Sequence, residues 1–114
     1  MSIRRWLAPL ACALLACCAY VEATTTQYIG VPRFPAGDPA AVEVLPSEPM
    51  RTHDRLGEIL LDISLDPAPP VAEVEQRLRE EAAKMGGNAV FVVRDMVNPN
   101  AGRKLIAVAI RYRQ

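Results

Sequence analysis

The stretch that most constrains the fold runs from residue 71 to residue 93. Apolar residues in its first half recur every three or four positions, the period of a helix with one buried face. They are Val71, Val74, Leu78, Ala82 and Met85. Gly86 follows where a glycine can take the positive φ that ends a helix. Residues 89–93 are apolar without alternation, which is typical of a strand covered on both faces.

The other side of the predicted helix is charged. Three acids are each followed by a base four residues later, the order that favours ion pairs along a helix, at ~0.2–0.5 kcal/mol each. The pairs are Glu73 with Arg77, Glu75 with Arg79, and Glu80 with Lys84. We expect this face of the helix to be in contact with water.

Strand patterns lie on both sides of that stretch. Residues 56–65 alternate, with Ile59, Leu61 and Ile63 on one face and polar residues on the other. Gly57 predicts a bulge or a close backbone approach there. Residues 41–45 and 105–112 also read as strands, and 98–102 as a turn. The sequence therefore predicts an α+β fold, a four-stranded mixed sheet (β-β-α-β-β) with one amphipathic helix packed on one face.

This inventory leaves one face of the sheet without cover. A single helix covers only one face, yet the strands at 89–93 and 105–110 are apolar on both. We expect either the N-terminal segment at 28–45 or self-association to cover the second face.

The N-terminal residues have the pattern of an export signal. Arg4 and Arg5 precede an apolar run at 6–16, as in a secretory signal peptide. Leu14-Leu15-Ala16-Cys17 looks like a bacterial lipobox, so we predict a signal peptide at 1–16 and lipidation of Cys17. The alternative is ordinary cleavage after Ala23. Lipidation predicts a membrane-anchored lipoprotein of the bacterial cell envelope facing the periplasm, whereas cleavage after Ala23 predicts a soluble periplasmic or secreted protein.

A change in composition marks the next boundary. Residues 24–49 are rich in threonine, proline and glycine, and each proline removes a backbone donor. We therefore predict a tether or docking arm at 17–40 and a small α+β domain at 41–114.

Composition excludes several classes of function. Basic and acidic residues number 13 each, so no basic stripe is available for nucleic acid. All three cysteines lie in the first 18 residues, which excludes a disulfide scaffold or thiolate metal site in the domain. His53 is the only histidine and a candidate metal ligand, but a single imidazole does not make a metal site. With no catalytic constellation, we predict no metal site, no cofactor and no enzymatic activity.

Part of the chain resembles a known group of proteins. The resemblance covers residues 41–93, and its most specific part is a helix that ends in a glycine turn before a strand. The matching segments are Val42-Glu43-Val44, Pro49, Leu56-Gly57-Glu58-Ile59 and Ala82-Ala83-Lys84-Met85-Gly86-Gly87-Asn88-Ala89-Val90. They are similar to small bacterial proteins of the YbjQ-like and RcsF-like group.

The resemblance implies an α+β domain, often in an envelope lipoprotein. RcsF-like members sense outer-membrane stress through protein partners, while YbjQ-like members form oligomers and have carried a heavy-metal-binding label. This chain departs from the pattern in lacking domain cysteines, in Leu45 where an aromatic residue is usual, and in Gly87 where alanine is common. Disulfide-based sensing is therefore not transferable.

These observations favour a non-enzymatic envelope protein, either a lipoprotein or a secreted protein. We expect it to act through a protein partner or as a homo-oligomer, with the membrane bound through the N-terminal lipid. The alternative is a metal- or small-ligand-binding module of the periplasm.

Overall fold

A computed structural model describes residues 18–114, so the predicted signal peptide and Cys17 lie outside the described residues. One helix and five strands follow each other along this part of the chain, with a short 3₁₀ turn at Pro39–Ala41. The elements are β1 (Val21–Gln27), β2 (Glu43–Leu45), β3 (His53–Ile63), α1 (Val71–Lys84), β4 (Ala89–Asn98) and β5 (Gly102–Tyr112).

The strands form a single mixed sheet in the order β1-β3-β5-β4-β2. Strands β1, β3, β5 and β4 are antiparallel neighbours, and β2 lies parallel to β4. Because β3 and β4 are both antiparallel to β5, they run in the same direction on either side of it, and α1 connects them. The α+β class and the single helix are confirmed.

The predicted count of four strands is wrong, because β1 adds a fifth. This strand pairs with β3 over seven residues, from Val21 opposite Ile63 to Gln27 opposite Gly57. It lies within the segment predicted as a tether or docking arm. Its three consecutive threonines are β-branched and suit an exposed edge strand, but they lack the apolar alternation by which strands are recognised.

Helix α1 packs on one face of the sheet and forms the main core there. The buried residues are Val74, Leu78, Ala82 and Ala83 of the helix, with Ile59, Leu61, Ile63, Leu105, Ala107 and Val90 of the strands. The helix ends as predicted, because Gly86 takes a φ of +79°. The predicted irregularity at Gly57 is also confirmed, since the β3–β5 register shifts between Arg55 and Gly57.

The second face of the sheet has a smaller core. Its buried residues are Ala89, Phe91, Val108 and Ile110, and Tyr28, Leu45 and Tyr112 pack against them. The Arg55 guanidinium lies over the Phe91 ring, 6.0 Å from its centroid. Of the segment at 28–45, Tyr28 and Leu45 of β2 pack on this face, whereas Phe34 packs on the helix side.

The charged face of α1 differs from the prediction. Within residues 18–114 the ion pairs of the helix gather on Glu81, a nearly buried carboxylate, and the three predicted pairs are absent. Glu81 accepts from Lys84 Nζ at 2.7 Å and from Thr25 Oγ1 of β1 at 2.9 Å. Burial raises the pKa of Glu81, but the bonds from Lys84 and Thr25 outweigh it, and the pKa lies below its usual value. Glu81 thus ties β1 to the helix, a role that spacing alone did not indicate.

The sheet has two ends, which we name the hairpin end and the cleft end. At the hairpin end β1 and β5 begin and β3 and β4 finish, so that Val21, Ile63, Arg103 and Val97 lie side by side across four strands. At the cleft end α1 finishes, β4 begins at Ala89 and β5 finishes. In residues 18–114 no helix is both long enough and apolar enough to cross a membrane.

Candidate interaction surfaces

His53, the candidate metal ligand, lies at the start of β3 at the cleft end with both ring nitrogens engaged. Nδ1 donates to the carbonyl oxygen of Arg51, and Nε2 donates to Glu48 Oε2 at 2.8 Å. Carbonyl and carboxylate oxygens only accept, so this geometry suits the protonated imidazolium. The bond to the Arg51 carbonyl, followed by that to Glu48, accordingly raises the pKa of His53.

Glu48 holds the loop before β3 onto the sheet. It pairs with Arg55 through both carboxylate oxygens, with Arg55 Nε 2.8 Å from Oε2. The bonds from Arg55 and His53 lower the pKa of Glu48 to about 2. No group of three or more His, Cys, Asp or Glu residues in residues 18–114 is placed to hold a metal ion. As arranged here, both ring nitrogens of His53 are hydrogen-bonded within the protein, and the side chain supports the loop before β3.

An open cleft of about 410 Å³ crosses the cleft end of the sheet. It is lined by Phe34, Arg51, Asp54, Asn88, Arg111, Tyr112, Arg113 and Gln114. The side chains of the lining carry three guanidinium groups against one carboxylate. Groups from both faces of the sheet contribute to it, because Phe34 packs on the helix side and Tyr112 on the other.

Each arginine of this cleft has a defined neighbour. Arg51 lies over the Tyr112 ring at 4.1 Å from its centroid, and Arg111 lies over the Phe34 ring at 4.4 Å. Arg113 Nη2 donates to Asp54 Oδ1 at 2.6 Å. That bond lowers the pKa of Asp54 and raises the pKa of Arg113.

The hairpin end has a different character. Strand β2 pairs with β4 only from Ala89 to Phe91, so the outer edge of β4 beyond Phe91 carries no strand within residues 18–114. Val93, Met96 and Val97 on this part of β4 are 57%, 40% and 61% exposed. The only charges on this part of β4 are Arg94 and Asp95, and Asp95 is paired with Arg103 at 2.8 Å.

The structure brings together residues that the sequence does not connect. Cys17, the predicted lipidation site, lies outside the described residues. The sequence does not indicate the arginines of the cleft, because Arg111 lies in the strand pattern at 105–112 and Arg51 precedes a different strand. The only sequence signal for the cleft is that three arginines lie near the start of β3 or the end of β5. That signal can be used only when the register of these two strands is known.

Comparisons with known proteins give a fold neighbour and no family. No family model matches the chain, and no curated protein matches it. Among solved structures, the Francisella virulence factor FvfA matches with a TM-score of 0.56 and 8% identity, over 81% of this chain and 98% of that one. At that identity the match shows a shared fold alone. The resemblance to the YbjQ-like and RcsF-like group stays a prediction.

Proposed function

We propose that this chain is a non-enzymatic protein of the bacterial cell envelope, held on a membrane by lipid at Cys17, that acts by associating with protein through the outer edge of β4. In this proposal the domain faces the periplasm. The rival processing event, cleavage after Ala23, would instead release a soluble protein.

The position of β1 favours lipidation at Cys17 over cleavage after Ala23. Cleavage after Ala23 would remove Val21, Glu22 and Ala23, three of the seven residues that pair with β3. It would also remove Tyr20, which exchanges backbone and side-chain hydrogen bonds with Ser64. A chain beginning at Cys17 keeps all of these contacts. Signal peptidases act before the domain has folded, so the contacts of β1 and Tyr20 determine which product is the more stable.

Lipidation at Cys17 would hold the domain close to the bilayer. Three residues lie between Cys17 and Val21, where β1 begins, and the four backbone steps from Cys17 to Val21 span at most about 14 Å. The hairpin end would then lie near the lipid headgroups, and the cleft end would face away from the membrane. In this proposal residues 18 and 19 form a short tether, because Tyr20 is already bound to Ser64.

The observation that carries the association is the exposed outer edge of β4. An edge strand offers unpaired N–H and C=O groups in a row, and a strand from a second polypeptide can pair with them. Val93, Met96 and Val97 add apolar surface at that edge. Charged residues and bulges usually protect such edges; β4 has a register shift between Val92 and Arg94, yet its apolar side chains remain exposed.

Membrane fractionation tests the anchor. Cys17→Ser should move the protein from the membrane to the soluble fraction, because the lipid supplies the two chains that stable anchoring needs. Cys18→Ser is the matched control, since Cys18 is the adjacent thiol and is exposed. Membrane association that persists in Cys17→Ser would refute lipidation at this residue.

Site-specific photo-cross-linking in intact envelopes tests the association. A cross-linking side chain at position 97 should give one adduct of reproducible mass, either a dimer or the chain joined to one partner, and Val93→Lys should abolish it. Position 29 is the control, because Ile29 is equally apolar and 97% exposed but lies outside the sheet. Monomer alone at position 97, or the same adducts at both positions, would contradict the proposal.

A further inference from the structure

We propose that the cleft defined by Arg51, Arg111 and Asn88 binds the oxyanion group, carboxylate or phosphate, of a small anionic ligand. This site is independent of the association proposed for β4, because it lies at the opposite end of the sheet. Its failure would leave the anchor and the β4 edge untouched.

The side chains that line the cleft carry more positive than negative charge. Of its three guanidinium groups, that of Arg113 is neutralised by Asp54, which accepts from both Nε and Nη2. In residues 18–114, no carboxylate forms an ion pair with either Arg51 or Arg111. Two guanidinium groups in one concave surface therefore have no ion-pair partner, and a positively charged concave surface raises the local concentration of anions.

Contacts within the protein already orient the guanidinium groups of Arg51 and Arg111. Arg51 is stacked on Tyr112, and Arg111 is stacked on Phe34 while its Nη1 donates to the carbonyl oxygen of Gly86 at 2.9 Å. A guanidinium stacked on a ring keeps its in-plane N–H groups at the edge, where they match the two oxygens of a carboxylate or phosphate. Less side-chain freedom remains to be lost on binding.

Asn88 supplies a neutral donor beside them. Its Oδ1 accepts from the backbone N–H of Tyr112 at 3.0 Å, which fixes the orientation of the amide and leaves the side-chain nitrogen to donate. The half-buried Asn88 side chain lines the same cleft as both arginines. The site thus combines two cationic donors and one neutral donor.

The cleft is larger than a bare ion requires. Its volume of about 410 Å³ falls in the range of small-molecule sites, roughly 300–1,000 Å³. The rings of Phe34 and Tyr112 give it apolar walls beside the charged groups. The second oxygen of Asp54 would repel a second anion near Arg113, so we expect one anionic group per ligand in the part of the cleft between Arg51 and Arg111.

NMR titration of the mature chain with inorganic phosphate and, separately, with acetate tests the site. At constant ionic strength, with chloride as the reference salt, we expect saturable shifts of the Asn88 and Tyr112 amides and the Arg51 and Arg111 Nε–H groups. A bare ion makes few contacts, so the expected Kd is on the order of millimolar. The probe with the lower Kd identifies the class, phosphate or carboxylate.

Variants separate a built site from general charge attraction. Arg51→Gln and Arg111→Gln should each weaken binding about tenfold, since a hydrogen bond to a charged group contributes about that much. Arg94→Gln, which removes the same charge at the hairpin end, should leave the Kd unchanged. Arg51→Gln keeps the test valid if Arg111→Gln unfolds, because Arg51 is exposed and only stacks on Tyr112.

Two results would overturn the proposal. One is the absence of saturable shifts in the cleft with either anion up to about 50 mM, well above the expected millimolar Kd. The other is a Kd that Arg94→Gln raises as much as Arg51→Gln does, because binding would then follow net charge and not these residues.

Discussion

The two ends of the sheet differ in how their exposed side chains are held. At the cleft end, most charged groups have a specific neighbour: Arg51 stacks on Tyr112, Arg113 pairs with Asp54, and Glu48 binds His53 and Arg55. At the hairpin end, Val93, Met96 and Val97 are exposed, and the edge beside them carries no strand in the described part of the chain.

The difference comes from where the irregular segments lie. Strand β1 runs towards the cleft end, and the segment after it stays there. Phe34 packs against the core, and the Gly37 N–H donates to the Ala83 carbonyl at the end of α1. The loop before β3 covers the same end from the other face through Glu48. No comparable segment within residues 18–114 reaches the outer half of β4. Folding therefore orders the cleft end, whereas a second molecule would have to cover the hairpin end.

The largest expected effect is a loss of stability at the cleft end when Gly86 is replaced. Its φ of +79° costs a residue with a side chain about 1–2 kcal/mol, and a Cβ there would meet Phe34 and lie 2.8 Å from the Pro35 carbonyl oxygen. With overpacking added, Gly86→Ala should lower the free energy of unfolding by about 3–4 kcal/mol, measured in urea. Gly37→Ala is the control, because a Cβ there meets nothing within 4 Å. A loss below about 1 kcal/mol would show that the segment carrying Phe34 does not pack as described.

A smaller effect is expected at the hairpin end when β1 is shortened. A chain beginning at residue 24 loses three β1–β3 pairings and the hydrogen bonds between Tyr20 and Ser64. At about 0.5–1.5 kcal/mol for each net hydrogen bond, and since edge residues are partly solvated, we expect a loss of about 1–3 kcal/mol relative to a chain beginning at residue 18. Equal urea midpoints for the two chains would contradict this and would remove the structural argument against cleavage after Ala23.

The helix and its end could be predicted because their signals are local. The three- and four-residue spacing of apolar residues and the glycine after them both lie within one short stretch, and the structure has α1 and Gly86 where that pattern put them. Strand β1 could not be predicted in this way. Its residues are mostly threonine, and the partner that makes it a strand, β3, lies far along the chain.

The cleft could not be predicted for a related reason. Arg51 and Arg111 are distant in sequence and line one cleft because Tyr112 lies opposite His53 in the β3–β5 pairing. Glu81 shows the same limit within one helix. Helical spacing alone predicted ion pairs at Glu73, Glu75 and Glu80. The ion pairs form at Glu81 instead, which also accepts a hydrogen bond from Thr25 of β1.

A pH dependence is expected at the cleft end from His53. Its folded pKa is raised, so its bonds to Glu48 and Arg51 stabilise the fold fully below the unfolded value of about 6.5 and lose that contribution as pH rises through the folded pKa. Glu48 stays ionised throughout, since its pKa is about 2. Asp54, Arg55 and Tyr112 also lie near the ring.

The measurement is the difference in Tm between the wild type and His53→Gln from about pH 5 to pH 9, a range that brackets the ordinary histidine pKa. We expect the wild type to be more stable at the acidic limit and the difference to shrink towards the alkaline one. The Tm of Arg94→Gln, at the other end of the sheet, should differ from wild type by the same amount at every pH. A His53→Gln difference that is constant across the range would mean that the ring is not protonated in the folded state.

The smallest expected effect on stability comes from a substitution of Val97 at the hairpin end. Val97→Thr keeps the β-branched shape and replaces one exposed methyl group with a hydroxyl, so the free energy of unfolding should change by less than about 0.5 kcal/mol. Val108→Thr makes the same change on β5, where the side chain is only 5% exposed beneath Tyr28 and Leu45, and it should cost about 1–3 kcal/mol. Equal losses would mean that Val97 packs within the monomer. A loss confined to Val108 would mean that folding gains nothing from an apolar side chain at position 97, as the proposed association at the β4 edge requires.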